Sequence, residues 1–160
     1  MAYGITQLTD ALKDLNTTLT NLLTCCLASQ DADWQPFTPV FIQSVTLTLN
    51  SVVYAEYSNT GNVGRVRFYV QFGSGGVANN LLNFSNMPIN VDPVATQRIA
   101  GFGAAFLGGT IYNVVGIQLG NDDVVFYSNA NNQPIGVQPN VAINAPDQMH
   151  FEGVFKPVGG

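Results

Sequence analysis

The stretch Arg65-Val-Arg-Phe-Tyr-Val-Gln-Phe72 alternates between apolar residues and polar or amphipathic ones. Its apolar residues are Val66, Phe68, Val70 and Phe72. This period of two is the repeat of a β-strand that buries one face in a core. Val and Phe are also enriched in strands. The stretch therefore predicts a half-buried strand.

Short strands of the same kind are predicted elsewhere in the chain. The segments are residues 44–50, 52–57, 110–119, 124–127 and 148–155. Clusters rich in Gly, Asn, Asp and Ser separate them, and such residues favour turns. Several short strands divided by turns predict a mostly β protein, with an antiparallel β-sandwich or jelly-roll-like head over residues 41–158.

Residues 4–27 have a different period. Their apolar side chains recur at alternating steps of three and four, at Ile5, Leu8, Leu12, Leu15, Leu19, Leu22 and Cys26. A seam with a period of 3.5 residues is typical of a coiled coil, whereas a helix packed on a globular core usually has a broader apolar face. We therefore predict an N-terminal oligomerisation helix over residues 4–27 and a linker over residues 28–40. The alternative is a helix that folds back onto its own domain.

Composition excludes several classes of protein. Hydrophobic residues make up 46% of the chain and charged residues only 9%, which argues against disorder. The five basic residues are scattered and the net charge is −5, so we expect no nucleic-acid partner. No apolar run approaches the ~20 residues that span a bilayer, so we expect no membrane insertion.

Residues suited to catalysis are scarce. The single histidine, His150, lies in an alternating segment, and the only glutamates, Glu56 and Glu152, lie in separate strand patterns. Acyl-transfer and glycosidase sites need a base beside a nucleophile or two opposed carboxyl groups. Cys25 and Cys26 are adjacent and predict two buried thiols, with an interchain disulfide as the alternative. We predict no enzyme, metal site or cofactor.

Long uncharged loops are the remaining candidates for function. They are rich in Asn, Gly, Ser and Tyr, residues that suit carbohydrate or protein recognition. The candidate receptor-binding residues are Asn62, Asn79, Asn121, Tyr127, Asn129, Asn131 and Asn132. Tyr127 offers a stacking face and the asparagines offer hydrogen bonds. The alternative is that the tyrosine caps a core and the asparagines only form turns.

Residues 34–90 resemble the head domains of bacteriophage fibre and tail proteins. The likeness rests on Trp34-Gln-Pro-Phe-Thr-Pro39 before a Val/Thr strand, on Ala55-Glu-Tyr57, on Gly61-Asn62, on Val66-Arg-Phe-Tyr-Val-Gln-Phe72 and on Asn83-Phe-Ser-Asn-Met-Pro88. The resemblance implies a homotrimeric virion protein, made in the host cytoplasm, with a β-sandwich head on a coiled-coil stem.

A short fibre of this kind would contact other virion proteins through its N-terminal stem and a host-surface glycan or protein through its head loops. Many fibre proteins carry a sizeable N-terminal docking domain, whereas here only Met1-Ala-Tyr-Gly4 precedes the seam. A capsid decoration or head-fibre protein is therefore the alternative. A tailspike depolymerase ranks third, because it would need a longer chain and a visible acidic pair.

Overall fold

The computed structural model describes residues 17, 33–92, 98–120, 123–128 and 133–158. The chain divides into two compact units, Met1–Asp33 and Trp34–Gly160. All seven predicted seam residues, together with Cys25, lie outside the described residues, so the oligomerisation helix stays a prediction. The second unit begins inside the predicted linker, because Gln35–Pro36 already pairs with a strand of the sheet.

In the described part of the second unit, every regular element is a β-strand. The strands are β1 (Gln35–Pro36), β2 (Phe41–Gln43), β3 (Val45–Thr46), β4 (Leu49–Thr60), β5 (Val63–Phe72), β6 (Asn83–Phe84), β7 (Arg98–Leu107), β8 (Thr110–Leu119), β9 (Asp123–Ser128), β10 (Gln133–Pro134) and β11 (Gln148–Phe155). They form one antiparallel sheet in the order β1-β4-β5-β11-β7-β8-β9-β6-β2-β3, with β10 paired to β9. The prediction of a mostly β, antiparallel head is confirmed.

The sheet curls into a half-barrel. β2 and β5 are far apart in the strand order, yet the Phe41 ring lies 5.1 Å from the Phe68 ring. Between β3 and β4, the Thr48 N–H donates to the Ser74 carbonyl at 2.9 Å, and the Gly73 N–H donates to the Thr48 carbonyl at 2.8 Å. The hydrogen-bond ladder is therefore one curled sheet, rather than the two separate sheets that a sandwich would have.

Phenylalanines fill the concave side of the sheet. The Phe68 ring of β5 lies between 5.1 and 6.3 Å from the rings of Phe41, Phe84, Phe126 and Phe151. All five side chains are fully buried. The four apolar residues of β5 that the sequence assigns to the core are buried too, which confirms the strand that the alternation predicts.

β7 is a strand that the sequence pattern does not reveal. Its residues, Arg-Ile-Ala-Gly-Phe-Gly-Ala-Ala-Phe-Leu, include Gly and Ala, which are depleted in strands. The small residues make room for the Phe151 ring of β11. A Cβ added at Gly101 of β7 would come within 2.7 Å of that ring, and one added at Gly116 of β8 within 2.6 Å. Packing against Phe151 therefore outweighs the low strand propensity of Gly and Ala in β7.

The predicted continuous strand over residues 44–50 is wrong. Only Val45–Thr46 forms β3, and β4 begins at Leu49. Ser44 has a φ of 70°, and the buried Leu47 donates its N–H to the Phe41 carbonyl at 2.9 Å. The chain turns inward at this point to reach the other end of the sheet.

Candidate functional site

The two ends of β5 separate the predicted receptor-binding residues. Asn62 lies in the two-residue turn between β4 and β5, and Asn79 lies in the loop that follows β5. A strand from Val63 to Phe72 spans roughly 30 Å, so these two asparagines do not share one surface. We refer below to the Asn62 end and the Asn79 end of the sheet.

Tyr127 is the other predicted binding residue that the structure describes. It is half-buried on β9 and pairs with Pro134 of β10. Two residues beyond Pro134, the Gly136 carbonyl accepts a hydrogen bond from the Asn79 N–H at 2.9 Å. Tyr127 therefore adjoins the connection that contacts Asn79. The remaining candidates, Asn121, Asn129, Asn131 and Asn132, lie outside the described residues.

Two loops at the Asn79 end are joined by hydrogen bonds and form a single surface. We call it the two-loop surface, and it comprises residues 73–81 and 135–147. The Gly76 N–H donates to the Ile143 carbonyl at 3.1 Å, and the Asn79 N–H donates both to the Gly136 carbonyl and to Asn140 Oδ1, at 2.9 and 3.0 Å. The loops therefore support each other rather than extending separately into solvent.

A buried glutamine fixes both loops to the sheet. Gln43 of β2 is fully buried, and its Nε2 donates to the carbonyls of Asn80 at 3.2 Å and Val141 at 2.7 Å. Its Oε1 accepts the N–H of Ile143 at 3.0 Å. One side-chain amide thus satisfies three backbone groups in two loops, and such satisfied buried networks rigidify the structure around them.

Close backbone approach at this surface requires glycine at two positions. A Cβ at Gly76 would collide with the backbone of Ile143 and come within 2.7 Å of Gln43 Oε1. Gly136 has a φ of 95°, a conformation that side-chain-bearing residues rarely adopt. These glycines allow the two loops and the glutamine to meet.

The two-loop surface presents amides and small apolar groups without an exposed charge. Asn79, Gln138, Asn140 and Asn144 are exposed. Asp147, the one ionisable residue in the two segments, is buried, and its carboxylate accepts the N–H groups of Gly108 at 2.9 Å and of Asn144 at 3.1 Å. The surface therefore suits a neutral, hydrogen-bonding ligand.

A different chemistry occupies the outer face of β4, β5, β11 and β7. Arg67 donates from Nε and Nη2 to Glu56 Oε2 at 3.0 and 2.8 Å, and its guanidinium lies 4.2 Å from the centre of the Trp34 ring. Beside this stack is an open trough of about 780 Å³, whose lining includes Phe102 and Val154. Planar groups held in this way lose little conformational freedom on binding.

An aromatic row adjoins this stack. The Tyr54 ring lies 6.3 Å from Tyr69 and 6.1 Å from His150, in edge-to-face arrangements. Burial raises the pKa of the Tyr54 phenol above its ordinary value of 10.0, and the negative charge of Glu152 raises it further. The Tyr69 hydroxyl is 2.6 Å from Gln148 Oε1, to which it donates.

The residues weighed for catalysis take up surface positions. His150 Nε2 lies 3.8 Å from Glu152 Oε1, and both side chains are substantially exposed. Glu56 and Glu152 flank Arg67 on the two neighbouring strands, and Glu56 holds the guanidinium. Within the described ranges, no three His, Cys, Asp or Glu side chains are placed to hold a metal ion.

Sequence reasoning missed the residues that build both surfaces. Gln43 follows two apolar residues in a short strand, and nothing local marks it as a buried connector. Trp34 and Phe37 lie within the predicted linker, yet both contact the sheet. The Phe37 ring lies 5.9 Å from Phe84, and Arg67 stacks on Trp34, a contact that no local signal marks.

Comparison of the chain with protein-family models, with curated proteins and with solved structures gave no match. Among the described residues, no helix has the length and apolar character needed to cross a bilayer. The fold and the two surfaces define the class of the second unit as an antiparallel, half-barrel β domain with an uncharged loop surface and a mixed outer face.

Proposed function

We propose that the chain is a structural bacteriophage virion protein, a short homotrimeric fibre whose head binds a host-surface receptor. In this proposal residues 4–27 form the coiled-coil stem, which contacts other virion proteins, and the curled sheet is a variant of a jelly-roll-like head. The receptor is a neutral glycan or a protein with similar hydrogen-bonding groups. The heptad seam and the resemblance over residues 34–90 support the virion assignment.

The two-loop surface is the observation that supports the receptor-binding part of this proposal. Binding residues commonly lie on loops held by a rigid scaffold, and here Gln43 and the hydrogen bonds between the loops hold the surface in place. Exposed amides donate to and accept from hydroxyl groups, while Val77 and Leu81 offer exposed apolar contacts nearby. Three copies on one fibre would convert weak single contacts into useful avidity.

The experiment compares Asn79→Asp with Asn62→Asp in the full chain. Both residues are exposed, and each lies at one end of β5. Asn79 has a φ of 64°, which Asp tolerates better than most residues do, so the backbone is kept while the amide donors are replaced by a charge. Binding of the labelled proteins to host cells is the measurement.

We expect Asn79→Asp to reduce cell binding at least ~10-fold. The substitution removes the two N–H donors of the side-chain amide, and losing two hydrogen bonds to a receptor would have about this effect. Asn62→Asp should bind as wild type does. Equal binding by both variants would show that the two-loop surface is not the receptor site. If the wild-type protein does not bind host cells but binds emptied capsids, receptor binding is refuted and capsid decoration is favoured.

A further inference from the structure

We infer that the outer face of β5, β11 and β7 is the surface through which the heads of neighbouring copies of this chain contact each other. The inference rests on the proposed homotrimer, and it names the head surface that the trimer uses. We call this surface the outer-face patch, formed by Trp34, Arg65, Ile99, Phe102, Glu152 and Val154.

The patch exposes large apolar side chains on a face that would otherwise be expected to be polar. Ile99, Phe102 and Val154 are 60%, 64% and 59% exposed. In an antiparallel sheet with one face on the core, the other face is usually polar. Contiguous exposed apolar groups within a polar rim mark an interaction surface, and these three side chains line one open trough of about 780 Å³.

The charges of the patch and its border favour a second copy of the same chain as the occupant. Arg65 and Glu152 lie on adjacent strands, and Arg67 with Glu56 adds one further charge of each sign. The local charge is therefore balanced, although the whole chain carries −5. Two copies would repel each other through most of their surface, but this face offers each copy both a cation and an anion.

The ion pairing of the charged residues in and beside the patch also favours a second copy. In the described part of the chain, Arg65 forms no ion pair, and the carboxylate of Glu152 pairs only with His150, whose Nε2 lies 3.8 Å from Oε1. Arg67, by contrast, is already paired with Glu56 and stacked on Trp34. Trp and Arg are the residue types that carry most binding energy at protein interfaces, and here the pair is held in place before association.

Chain connectivity favours a neighbouring head over an unrelated protein. Trp34 is both the first residue of the second unit and a member of the patch. The link from residue 27, where the predicted stem ends, to Trp34 spans at most ~25 Å even when fully extended. A stem that joins several copies would therefore hold the Trp34 ends, and with them the patches, close to one another. Tethering of this kind raises the effective concentration of one patch for the next.

The test uses two matched substitutions in the full chain, Val154→Asp in the patch and Val53→Asp outside it. Both valines lie on strands and are similarly exposed, at 59% and 56%, so the cost of Asp to a single folded copy should be similar. Phe102→Asp is a second patch variant. Sedimentation over a dilution series gives the association constant, and far-ultraviolet circular dichroism checks that each variant is folded.

We expect Val154→Asp and Phe102→Asp to weaken self-association at least ~30-fold, the effect of losing one strong interface residue, while Val53→Asp assembles like wild type. Three outcomes would overturn the inference: folded patch variants that sediment as wild type does, a Val53→Asp variant whose self-association is equally weakened, or a wild-type monomer.

If the patch variants in the first of these outcomes also lose cell binding, the patch is assigned to a receptor instead. Failure of wild type to bind cells, with the patch effect intact, would refute receptor binding and leave this interface standing.

Discussion

Replacing Gln43 with Met should loosen the two-loop surface without emptying the core. Met has nearly the volume of Gln and favours buried apolar positions, so the change removes hydrogen bonds rather than packing. Three bonds disappear: those from Nε2 to the carbonyls of Asn80 and Val141, and the one that Oε1 accepts from Ile143. The buried Ile143 and the half-buried Asn80 and Val141 are then left without this side-chain amide.

The magnitude follows from these three bonds. A typical buried hydrogen bond contributes about 0.5–1.5 kcal/mol net, and a buried donor left unsatisfied costs about 1–3 kcal/mol. The Ile143 N–H is the donor that would carry this cost, because Ile143 is fully buried and its N–H would lose the Gln43 acceptor. We expect Gln43→Met to lower the free energy of unfolding by about 3 kcal/mol, which lowers Tm by roughly 10 °C for a domain of this size.

Gln118→Met is the matched control. Gln118 is also buried and also makes three hydrogen bonds: it accepts from Arg98 Nε at 3.0 Å and donates to the carbonyls of Asp92 at 3.2 Å and Gly120 at 2.8 Å. These partners lie away from the two-loop surface. The control should therefore lose a similar amount of stability and keep its binding to host cells.

Thermal unfolding, amide hydrogen exchange and cell binding together test the reasoning. Gln43→Met should raise the exchange rate of the Ile143 amide and weaken cell binding, because opening of the loops is local and costs less than global unfolding. A Tm within about 2 °C of wild type would show that the three bonds contribute little to stability. Equal loss of cell binding in Gln118→Met would show that general destabilisation, and not the loop anchor, controls recognition.

Three further changes test the core, the stem and the outer face. Phe68→Ala removes a ring that contacts four other phenylalanines, so the free energy of unfolding in urea should fall by ~3–5 kcal/mol; a loss below about 1 kcal/mol would contradict this core. Leu12→Asp with Leu15→Asp should dissociate the oligomer in sedimentation, because a buried unpaired charge is costly, and a wild-type monomer would refute the predicted seam. Since the folded-state pKa of Tyr54 is raised, the stability from its neutral phenol is complete below pH 10.0 and is lost as the pH rises through that folded-state pKa. Ultraviolet titration should show a lower Tyr54 pKa in Glu152→Gln, and an unchanged value would rule out the charge of Glu152 as a cause.

Local sequence patterns determined the β class and five of the six described strands that are at least six residues long. β5 and β11 were both predicted, because alternation of burial is a property of the strand itself and appears in neighbouring residues. The two-residue turn at Gly108-Gly109 has a positive φ at both glycines, 55° and 86°, and a Gly-Gly pair is the local signal of such a turn. These features depend on residues a few positions apart, which a single sequence displays directly.

The tertiary structure alone decided how the strands are arranged and where the surfaces lie. β11 is inserted between β5 and β7, and the glycines of β7 leave room for β11 and its Phe151 ring. Gln43 joins groups 37, 98 and 100 residues away along the chain. Such contacts form when the sheet curls around its phenylalanine core, and the free energy that selects them is shared among residues distant in sequence. A local sequence period does not reveal such contacts. Asn62 and Asn79 therefore look alike in the sequence, although they lie at opposite ends of β5 in the fold.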